Sequence, residues 1–507
     1  MQCQKNMTAQ EYNWTFSIFP TIILVTDLAL RITLSARVVL KKYSNGTTFG
    51  WLIIILLLPF IGAILYLLVG ENRIPERRVK RTRKSLAHYQ FWLNTLKSRA
   101  PIAKDRLTWQ YRPLHRQAER LIGIPALDGN ALEIIETPEE ILNAIISDID
   151  QARSSCHLQF YIWHCGGKVN EVEDALLKAA QRGVTCRILV DSIGSRKFIS
   201  SGRASELRKG GVKIHDSLPA GYIKALFERV DIRNHRKIVV IDGEIAYTGS
   251  QNMVDPLFFK QDHGVGQWID LMVRITGPVV ESLAGTFTSD WYLESDDLPP
   301  FTSDISNDVA DLRKHHDVHL LESTGSIPVQ LVPSGPGLAP DTIHHLLLTA
   351  IYSARKEVIL TTPYFVPDES LLTAIKSASH KGVRVVMIIP EKNDSKLVQY
   401  ASRAHYPELM EAGVEILLFR RGLLHSKTIT IDGKISLLGS VNLDMRSFWL
   451  NFEATLIVYD QEFTTKLRKV QHRYESQSIQ PDPQEIMKRP LIRRFKENVA
   501  LMIGPLL

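Results

Sequence analysis

Residues 234–252, "NHRKIVVIDGEIAYTGSQN", and residues 424–442, "LHSKTITIDGKISLLGSVN", write one phrase twice, almost two hundred positions apart. Both carry His-x-Lys, then Asp-Gly, then Gly-Ser-x-Asn, at identical internal spacing. With each residue type at about one position in fifteen or twenty, chance agreement at His, Lys, Asp, one Gly, Ser and Asn alone is on the order of one in ten million per pair of windows. A chain of 507 residues offers only about a hundred thousand such pairs. The chain therefore contains a duplicated unit, and any fold must accommodate it twice.

The copies agree beyond the phrase. "ARSSCHLQFYIW" (152–163) corresponds to "ARKEVILTTPYF" (354–365), "QRGVTCRILV" (181–190) to "HKGVRVVMIIP" (380–390), and "LRKGGVKIHD" (207–216) to "LMEAGVEILLF" (409–419). The last two pairs read as helix, Gly turn, strand. Short apolar strands alternating with helical stretches from about residue 135 onward are an α/β signature. The pattern predicts a first domain over 135–300, a Ser/Asp/Pro-rich linker over 301–327, and a second domain over 328–507.

Within each phrase, "HRKIVVID" and "HSKTITID" alternate with the two-residue period of a strand. Asp-Gly then signals a hairpin turn. A two-residue loop of Asp-Gly or Gly-Glu puts His235 and Lys237 on one face with Ser250 and Asn252. The same parity gathers His425, Lys427, Ser440 and Asn442, with Asp242 and Asp432 at the hairpin tips.

The front of the chain is different. Residues 49–70, "FGWLIIILLLPFIGAILYLLVG", carry no charge, and at ~1.5 Å per residue such a stretch spans a ~30 Å hydrocarbon layer. A less pure stretch around 16–38 contains Asp27 and Arg31, four apart and able to pair on one helix face. The expectation is a transmembrane hairpin over 1–70 with spans about 16–38 and 49–69, Pro59 kinking the second. A basic juxtamembrane and linker segment follows over 71–134. Residues 71–84, "ENRIPERRVKRTRK", hold seven Lys/Arg and two acids, against Lys41 and Lys42 in the loop between the spans. The positive-inside rule then places everything from Glu71 onward, and the N-terminus, on the cytoplasmic side. The basic run would also attract anionic headgroups.

Charge narrows the partners. The chain is +7 overall, but the first 84 residues carry all of that excess, leaving the body close to neutral. A nucleic-acid partner, which requires a basic face on the folded domain, is not expected. Cys3, Cys156, Cys165 and Cys186 form no zinc-like pair and no disulfide framework, so the body suits a reducing compartment. "CHLQFYIWHC" (156–165) reads as a buried strand with cysteine as small apolar filler. His315 and His319 share an i, i+4 spacing but lie in a weakly patterned region, and no metal is expected there.

A His, a Lys, a Ser and an Asn converging from one hairpin suit a phosphate. Lysine supplies a cation, Ser and Asn supply neutral donors, and imidazole can serve as nucleophile or acid/base near neutral pH. Two such half-sites facing each other would set one His on either side of a phosphorus, suited to in-line attack and leaving-group protonation.

These residues resemble the paired His-x-Lys-x4-Asp signatures of the phospholipase D superfamily, complete through Gly-Ser-x-Asn. The resemblance covers most of 135–475 and implies two tandem α-β-α sandwich domains forming a pseudo-two-fold unit. It implies catalytic roles for His235, Lys237, Asp242, His425, Lys427 and Asp432, and phosphate binding by Ser250, Asn252, Ser440 and Asn442. It also points to Asp270 in "WIDLMVRI" and Glu453 in "NFEATLIV" as the acids that orient the two histidines. In the first copy that acid lies seven residues further from the phrase, and is Asp rather than Glu.

"LPFIGAILYLLVGENR" (58–73) and "RPLIRRFKENVALMIGPLL" (489–507) extend the likeness to bacterial cardiolipin synthases over nearly the whole chain. That likeness implies a membrane enzyme of the bacterial cytoplasmic membrane. It would transfer a phosphatidyl group between two phosphatidylglycerol molecules through a phosphohistidine, with no metal, cofactor or nucleotide-activated lipid. A membrane-bound phosphodiesterase that hydrolyses phospholipids is the alternative, and a non-catalytic anionic-lipid scaffold would not need two intact His-Lys pairs. Nothing in the sequence sets an oligomeric state.

Overall fold

The computed structural model describes residues 4–41, 43, 45–71, 73–103, 107–219, 229, 231–297, 301–337 and 341–504. Cys3 and the last three residues of the apolar tail lie outside them. The chain divides into two compact units, one of Met1–Pro75 with Ala220–Asp231 and one of Glu76–Pro219 with Ile232–Leu507.

The larger unit is built on one 16-stranded sheet. Its first seven principal strands are β1 (Leu127–Ile135), β2 (Ser155–Phe160), β3 (Thr185–Asp191), β4 (Lys213–Ser217), β5 (Ile238–Ile241), β6 (Ile245–Gly249) and β7 (Met272–Thr276). The next seven repeat them: β8 (Ile327–Ser334), β9 (Glu357–Thr361), β10 (Arg384–Pro390), β11 (Glu415–Phe419), β12 (Thr428–Ile431), β13 (Ile435–Gly439) and β14 (Asn451–Val458). Across the sheet the first copy runs β1-β7-β6-β5-β2-β3-β4 and the second β8-β14-β13-β12-β9-β10-β11. Antiparallel pairing of β1 with β8 joins them at the pseudo-symmetry axis. The aligned segments of the two copies are thus the same strands, and the mixed α/β expectation is met.

Helices cover both faces, which is why the central strands read as near-continuous Val/Ile/Leu runs. Helix Pro138–Gln151 starts at an N-cap, Thr137 accepting from the Glu140 amide. It packs with helix Lys168–Gln181 over the outer face of the first copy. On the other face, helices Val279–Glu294 and Gln461–Ser476 bury their apolar residues in a core shared by both copies. Cys156 and Cys186 are buried free thiols on β2 and β3, as filler residues should be.

The hairpin turn differs from the expectation. Ile241 pairs with Ile245 and Ile431 with Ile435, so each loop has three residues, not two. Asp242 (φ 51°) and Gly243 (φ 64°) both take the left-handed conformation, and the Glu244 amide closes the turn on the Ile241 carbonyl at 3.0 Å. The register is therefore shifted by one from the odd-sum pairing, and the parity that gathered Ser with His and Lys fails. Serine reaches the site another way. Strand β6 ends at Gly249, and the Ser250 amide turns to the Leu271 carbonyl at 2.9 Å. In the second copy Ser440 does the same with Ala454 at 3.0 Å.

From Glu76 onward, the segment expected as a basic linker belongs to this unit. Helix Glu76–Arg99 carries most of the basic run, and three of its arginines pair with acids of the same unit, while Lys80, Arg83 and Lys84 stay exposed. Arg78 is buried against Asp290 and Glu294, Arg77 pairs with Asp296, and Arg81 reaches Asp296 and the carbonyls of Tyr292 and Ser295. The expected linker 301–327 likewise contains a helix, Ile305–His315, started by Asp304 accepting from the Asn307 amide. It faces helix Glu76–Arg99 through His88 Nε2 and Asp308 at 2.9 Å.

In the smaller unit, helix Gln4–Leu40 covers the first expected span. The second span is not one helix. Helix Asn45–Leu57 stops at residues 58–60 and resumes as Ile61–Leu65 and a π-helical turn, Tyr66–Gly70. Pro59 does more than kink it, and Phe60 takes φ 54°. Asp27 and Arg31 pair at 2.5 Å, as their spacing predicts, and together they satisfy the break. Arg31 donates to the Leu56 carbonyl at 2.6 Å, and Asp27 accepts from the Phe60 amide at 3.0 Å. Gly62 is required where the chain resumes, since a Cβ there would stand 2.2 Å from the Ile54 carbonyl oxygen. Among the described residues no helix is long and apolar enough to cross a membrane.

Candidate active site

Two short parallel pairings build the site. Arg233 and Asn234 pair with Asn451 and Phe452 at the start of β14. Leu423 and Leu424 pair with Trp268 and Ile269 just before β7. Each pairing lays the residue before one copy's catalytic phrase alongside the other copy's acid strand. The His235 amide then donates to Phe452 and the His425 amide to Ile269, both at 2.8 Å.

The result is a crossed arrangement. His235 of the first copy sets Nδ1 3.1 Å from Glu453 Oε2 of the second. His425 of the second sets Nδ1 2.7 Å from Asp270 Oδ1 of the first. The carboxylate engages Nδ1 of each ring and leaves Nε2 outside that pairing. Each carboxylate is itself held by its own copy's serine: Ser250 Oγ donates to Asp270 at 2.5 Å, and Ser440 Oγ donates to Glu453. The same oxygens accept from the Leu271 and Ala454 amides, each at 3.0 Å. Their protons are thus committed to the acids. Asn252 and Asn442 are buried nearby, and Asn252 Nδ2 has no hydrogen-bond partner among the described residues.

Lys237 and Lys427 are buried and, among the described residues, donate to the carbonyls of His235 and His425, at 2.6 and 2.5 Å. Burial pushes Lys237 down to about 7 and Lys427 down to about 8, against the pull of Glu453 and Asp270. Burial also pushes both imidazoles down to about 4, opposed by Glu453 at His235 and by Asp270 at His425. Each lysine lowers both imidazoles, which places the two half-sites within one electrostatic field. Burial raises the acids, but the neighbouring His, Lys and Ser outweigh it and hold Asp270 and Glu453 below the usual carboxylate range.

Asp242 and Asp432 are not brought to this cluster. They sit at the far ends of β5 and β12 and fasten the loop that leads into β2 and β9. Asp242 accepts from the amides of Arg153, Ser154 and Ser155. Asp432 accepts from those of Arg355, Lys356 and Glu357, and from Gln110 and Tyr111.

Several residues at the site carry no sequence signal of their own. The Tyr161 ring lies 4.9 Å from His235 and 5.7 Å from Lys237 Nζ. Trp268 lies 4.3 Å from His425. Lys260 of the first copy reaches Asp394 of the second at 3.0 Å, and Asp394 also accepts from Tyr364 at 2.9 Å. Asp444, buried beside Glu453, is pushed up to about 6 by burial. Tyr161 and Tyr364 occupy matching places in "LQFYIW" and "LTTPYF", and that alignment could have found them.

Duplicated α/β domains that share one pair of His-Lys half-sites define the phospholipase D class of proteins. A model of the cardiolipin synthase, phospholipase D-like domain matches residues 145–291 and 347–474, and a model of the phospholipase D-nuclease N-terminal segment matches residues 28–71. The chain is 42% identical to cardiolipin synthase A of Yersinia pseudotuberculosis serotype O:1b (strain IP 31758), over 97% of this chain and 98% of that one. It is 42% identical to cardiolipin synthase A of Proteus mirabilis (strain HI4320), over 93% and 95%. Among solved structures, the phosphatidylserine synthase of Haemophilus influenzae Rd KW20 superposes with a TM-score of 0.58 at 16% identity, over 77% of this chain and 99% of that one, a likeness of fold. The chain belongs to the cardiolipin synthase family of the phospholipase D superfamily.

Proposed function

We propose that this chain is a cardiolipin synthase, a phosphatidyltransferase that joins two phosphatidylglycerol molecules into cardiolipin and glycerol. The crossed acid–imidazole pairing carries the reading, because it occupies Nδ1 of both rings and leaves two Nε2 atoms for attack and proton transfer at one phosphate. Lys237 and Lys427, where charged, face ionised Asp270 and Glu453, with both imidazoles neutral in the empty site. One phosphodiester anion adds a single negative charge, which one added proton compensates. That proton makes one imidazole an acid and leaves the other a nucleophile.

In the first step one His Nε2 attacks phosphorus and the glycerol oxygen leaves, taking its proton from the second His. In the second step the terminal hydroxyl of another phosphatidylglycerol gives its proton to that second His and attacks the phosphohistidine, breaking the P–N bond. Lys237, Lys427 and the Asn252 amide stabilise charge on the non-bridging oxygens. Ser250 and Ser440 act through the acids that they hold.

The family of the chain and its uncharged 49–70 segment support a bilayer location. In this reading the smaller unit enters the membrane as a hairpin, its second arm broken at Pro59 and repaired by Asp27 and Arg31. Internal satisfaction of freed backbone groups is what a broken helix in lipid needs. The catalytic unit then lies on the cytoplasmic face.

The test is incubation of purified protein with pure phosphatidylglycerol, with cardiolipin and glycerol measured. His235→Asn and His425→Asn should each lower the rate by about 10²–10⁴-fold. Near-normal transfer by either variant would sink the two-histidine scheme, and phosphatidic acid in place of cardiolipin would make the protein a hydrolase.

A further inference from the structure

The C-terminal helix Leu491–Met502 has a division of faces that the catalytic scheme does not use. At about 100° per residue, Leu491, Ile492, Phe495, Val499 and Met502 cover one arc of about 100°. These side chains are exposed, Leu491 by 80%, Phe495 by 66% and Met502 by 83%. Opposite them Glu497 and Ala500 are buried. Glu497 takes ion pairs from Arg489 and from Arg493, the latter at 3.0 Å, and Ala500 packs with Val366, Val398 and Ala401. The helix is thus fixed to the body by one face and presents an apolar stripe directly away from it. Exposed Arg494 and Lys496 border that stripe on its two sides, and the one acid of the helix is buried and paired.

Its place in the fold adds the second argument. The cluster that seats Ala500 includes Tyr364. The Tyr364 ring stands edge-on to His425 at 6.5 Å, and its hydroxyl donates to Asp394. Asp394 in turn binds Lys260, from the segment that carries exposed Leu257 and Phe258. Both exposed apolar features therefore border the His425 side of the site. An apolar arc with Phe and Leu, flanked by basic residues and free of unpaired acid, has the make-up of a helix lying in a membrane interface. A second copy of the chain fits poorly. Self-pairing through this stripe would set Arg494 and Lys496 against their own counterparts, with Glu497 already engaged.

We propose that helix Leu491–Met502 lies in the headgroup–acyl boundary of an anionic phospholipid leaflet and holds the His425 side of the site against it. This rests on the reading that the substrate is a bilayer phospholipid.

The experiment uses the full chain in phosphatidylglycerol-containing nanodiscs. Cys3 and Cys165 are replaced by Ser, and a polarity-sensitive dye is placed through Met502→Cys. Nitroxide lipids labelled near the headgroup should quench the dye. A variant with Leu491→Ser, Ile492→Ser and Phe495→Ser should lose quenching. It should also lose tenfold or more of the activity on phosphatidylglycerol vesicles while keeping activity on monomeric short-chain phosphatidylglycerol within twofold. That last arm doubles as a control for folding. A dye that stays in water, or equal loss on both substrates, overturns the proposal. Dye–dye proximity between copies without lipid quenching overturns it in favour of a protein interface. Failure of the wild-type chain to make cardiolipin from either substrate would count against the assigned reaction and leave the quenching result to decide docking by itself.

Discussion

His425 Nδ1 stands 2.7 Å from Asp270 Oδ1, yet the two residues belong to different copies of the repeat. His235 and Glu453 repeat the relationship in reverse. Each imidazole's proton affinity is therefore raised by an acid of the other copy. Glu453→Gln should lower the pKa of His235 further and leave His425 nearly unmoved, and Asp270→Asn should do the opposite. Titration of the two rings by NMR in each variant checks this. If Glu453→Gln moved His425 instead, the crossed pairing would be wrong. Loss of the orienting charge should also lower kcat about 10²-fold in either variant.

Anion binding should depend on pH through the lysines. Lys237 is held at about 7 and Lys427 at about 8 in the empty site. Inorganic phosphate needs both charged, so its affinity should fall as pH rises from about 7 to 9. Near pH 8 binding should draw protons from solution, because an anion beside a lysine favours its charged form. Calorimetry in buffers of different ionisation enthalpy measures that uptake. Affinity unchanged between pH 6 and 9 would exclude the lysines as the phosphate cradle.

The duplicated phrase carried much of this site in plain view. His235, Lys237, His425 and Lys427 stand out by spacing alone, and the aligned segments showed that the second copy repeats the strands of the first. What the sequence did not disclose was set by tertiary geometry. The loop Asp242-Gly243-Glu244 closes one residue longer than its Asp-Gly signal implies, because Asp242 joins Gly243 in the left-handed region. A one-residue change in register reverses every face, so the parity argument reached the serines by a wrong route. The crossing of Asp270 and Glu453 depends on two-residue parallel pairings, too short to leave a periodic signal. Nothing in the sequence signalled that Arg77, Arg78 and Arg81 of the basic run pair with Asp290, Glu294 and Asp296, more than two hundred residues away.

Asp242 and Asp432 should prove to be stability residues. Burial raises Asp242, but backbone amides of Ser154, Ser155 and Arg153 outweigh it and keep the carboxylate below its usual range. Asp432 is held down in the same way by Lys356 and Arg355, with Gln110. Asn tolerates the left-handed turn, so Asp242→Asn and Asp432→Asn test charge without backbone strain. Each should cost about 1–3 kcal/mol at pH 7. A depressed carboxylate stabilises the fold above its unfolded pKa and loses that contribution as pH falls. The gap from wild type should therefore close below pH about 4. Denaturant melts across that range give the answer, and kcat per folded molecule should stay within about twofold. A loss of kcat by orders of magnitude without loss of stability would instead place these residues in the chemistry.

Arg78 links the first helix of the catalytic unit to the strand that holds His235. Its guanidinium is buried between Asp290 and Glu294 and lies 4.2 Å from the centre of the Phe452 ring. The Phe452 carbonyl accepts from the His235 amide, and Asp290 also pairs with Arg236, the residue between His235 and Lys237. Arg78→Ala would leave Glu294 buried without its cation, a change worth about 3–5 kcal/mol. Burial already raises the Glu294 carboxyl above its ordinary range, against the pull of Arg78. Without Arg78 it should rise further and take up a proton. A raised carboxyl contributes stability below its folded pKa and loses it as pH climbs through that value. The variant should therefore be markedly less destabilised at pH 5 than at pH 8, and Glu294→Gln in the same chain should flatten the difference. Thermal melts of the single and double variants at both pH values decide it. Equal destabilisation at pH 5 and pH 8 would show that Arg78 acts by packing on Phe452 and not by charge.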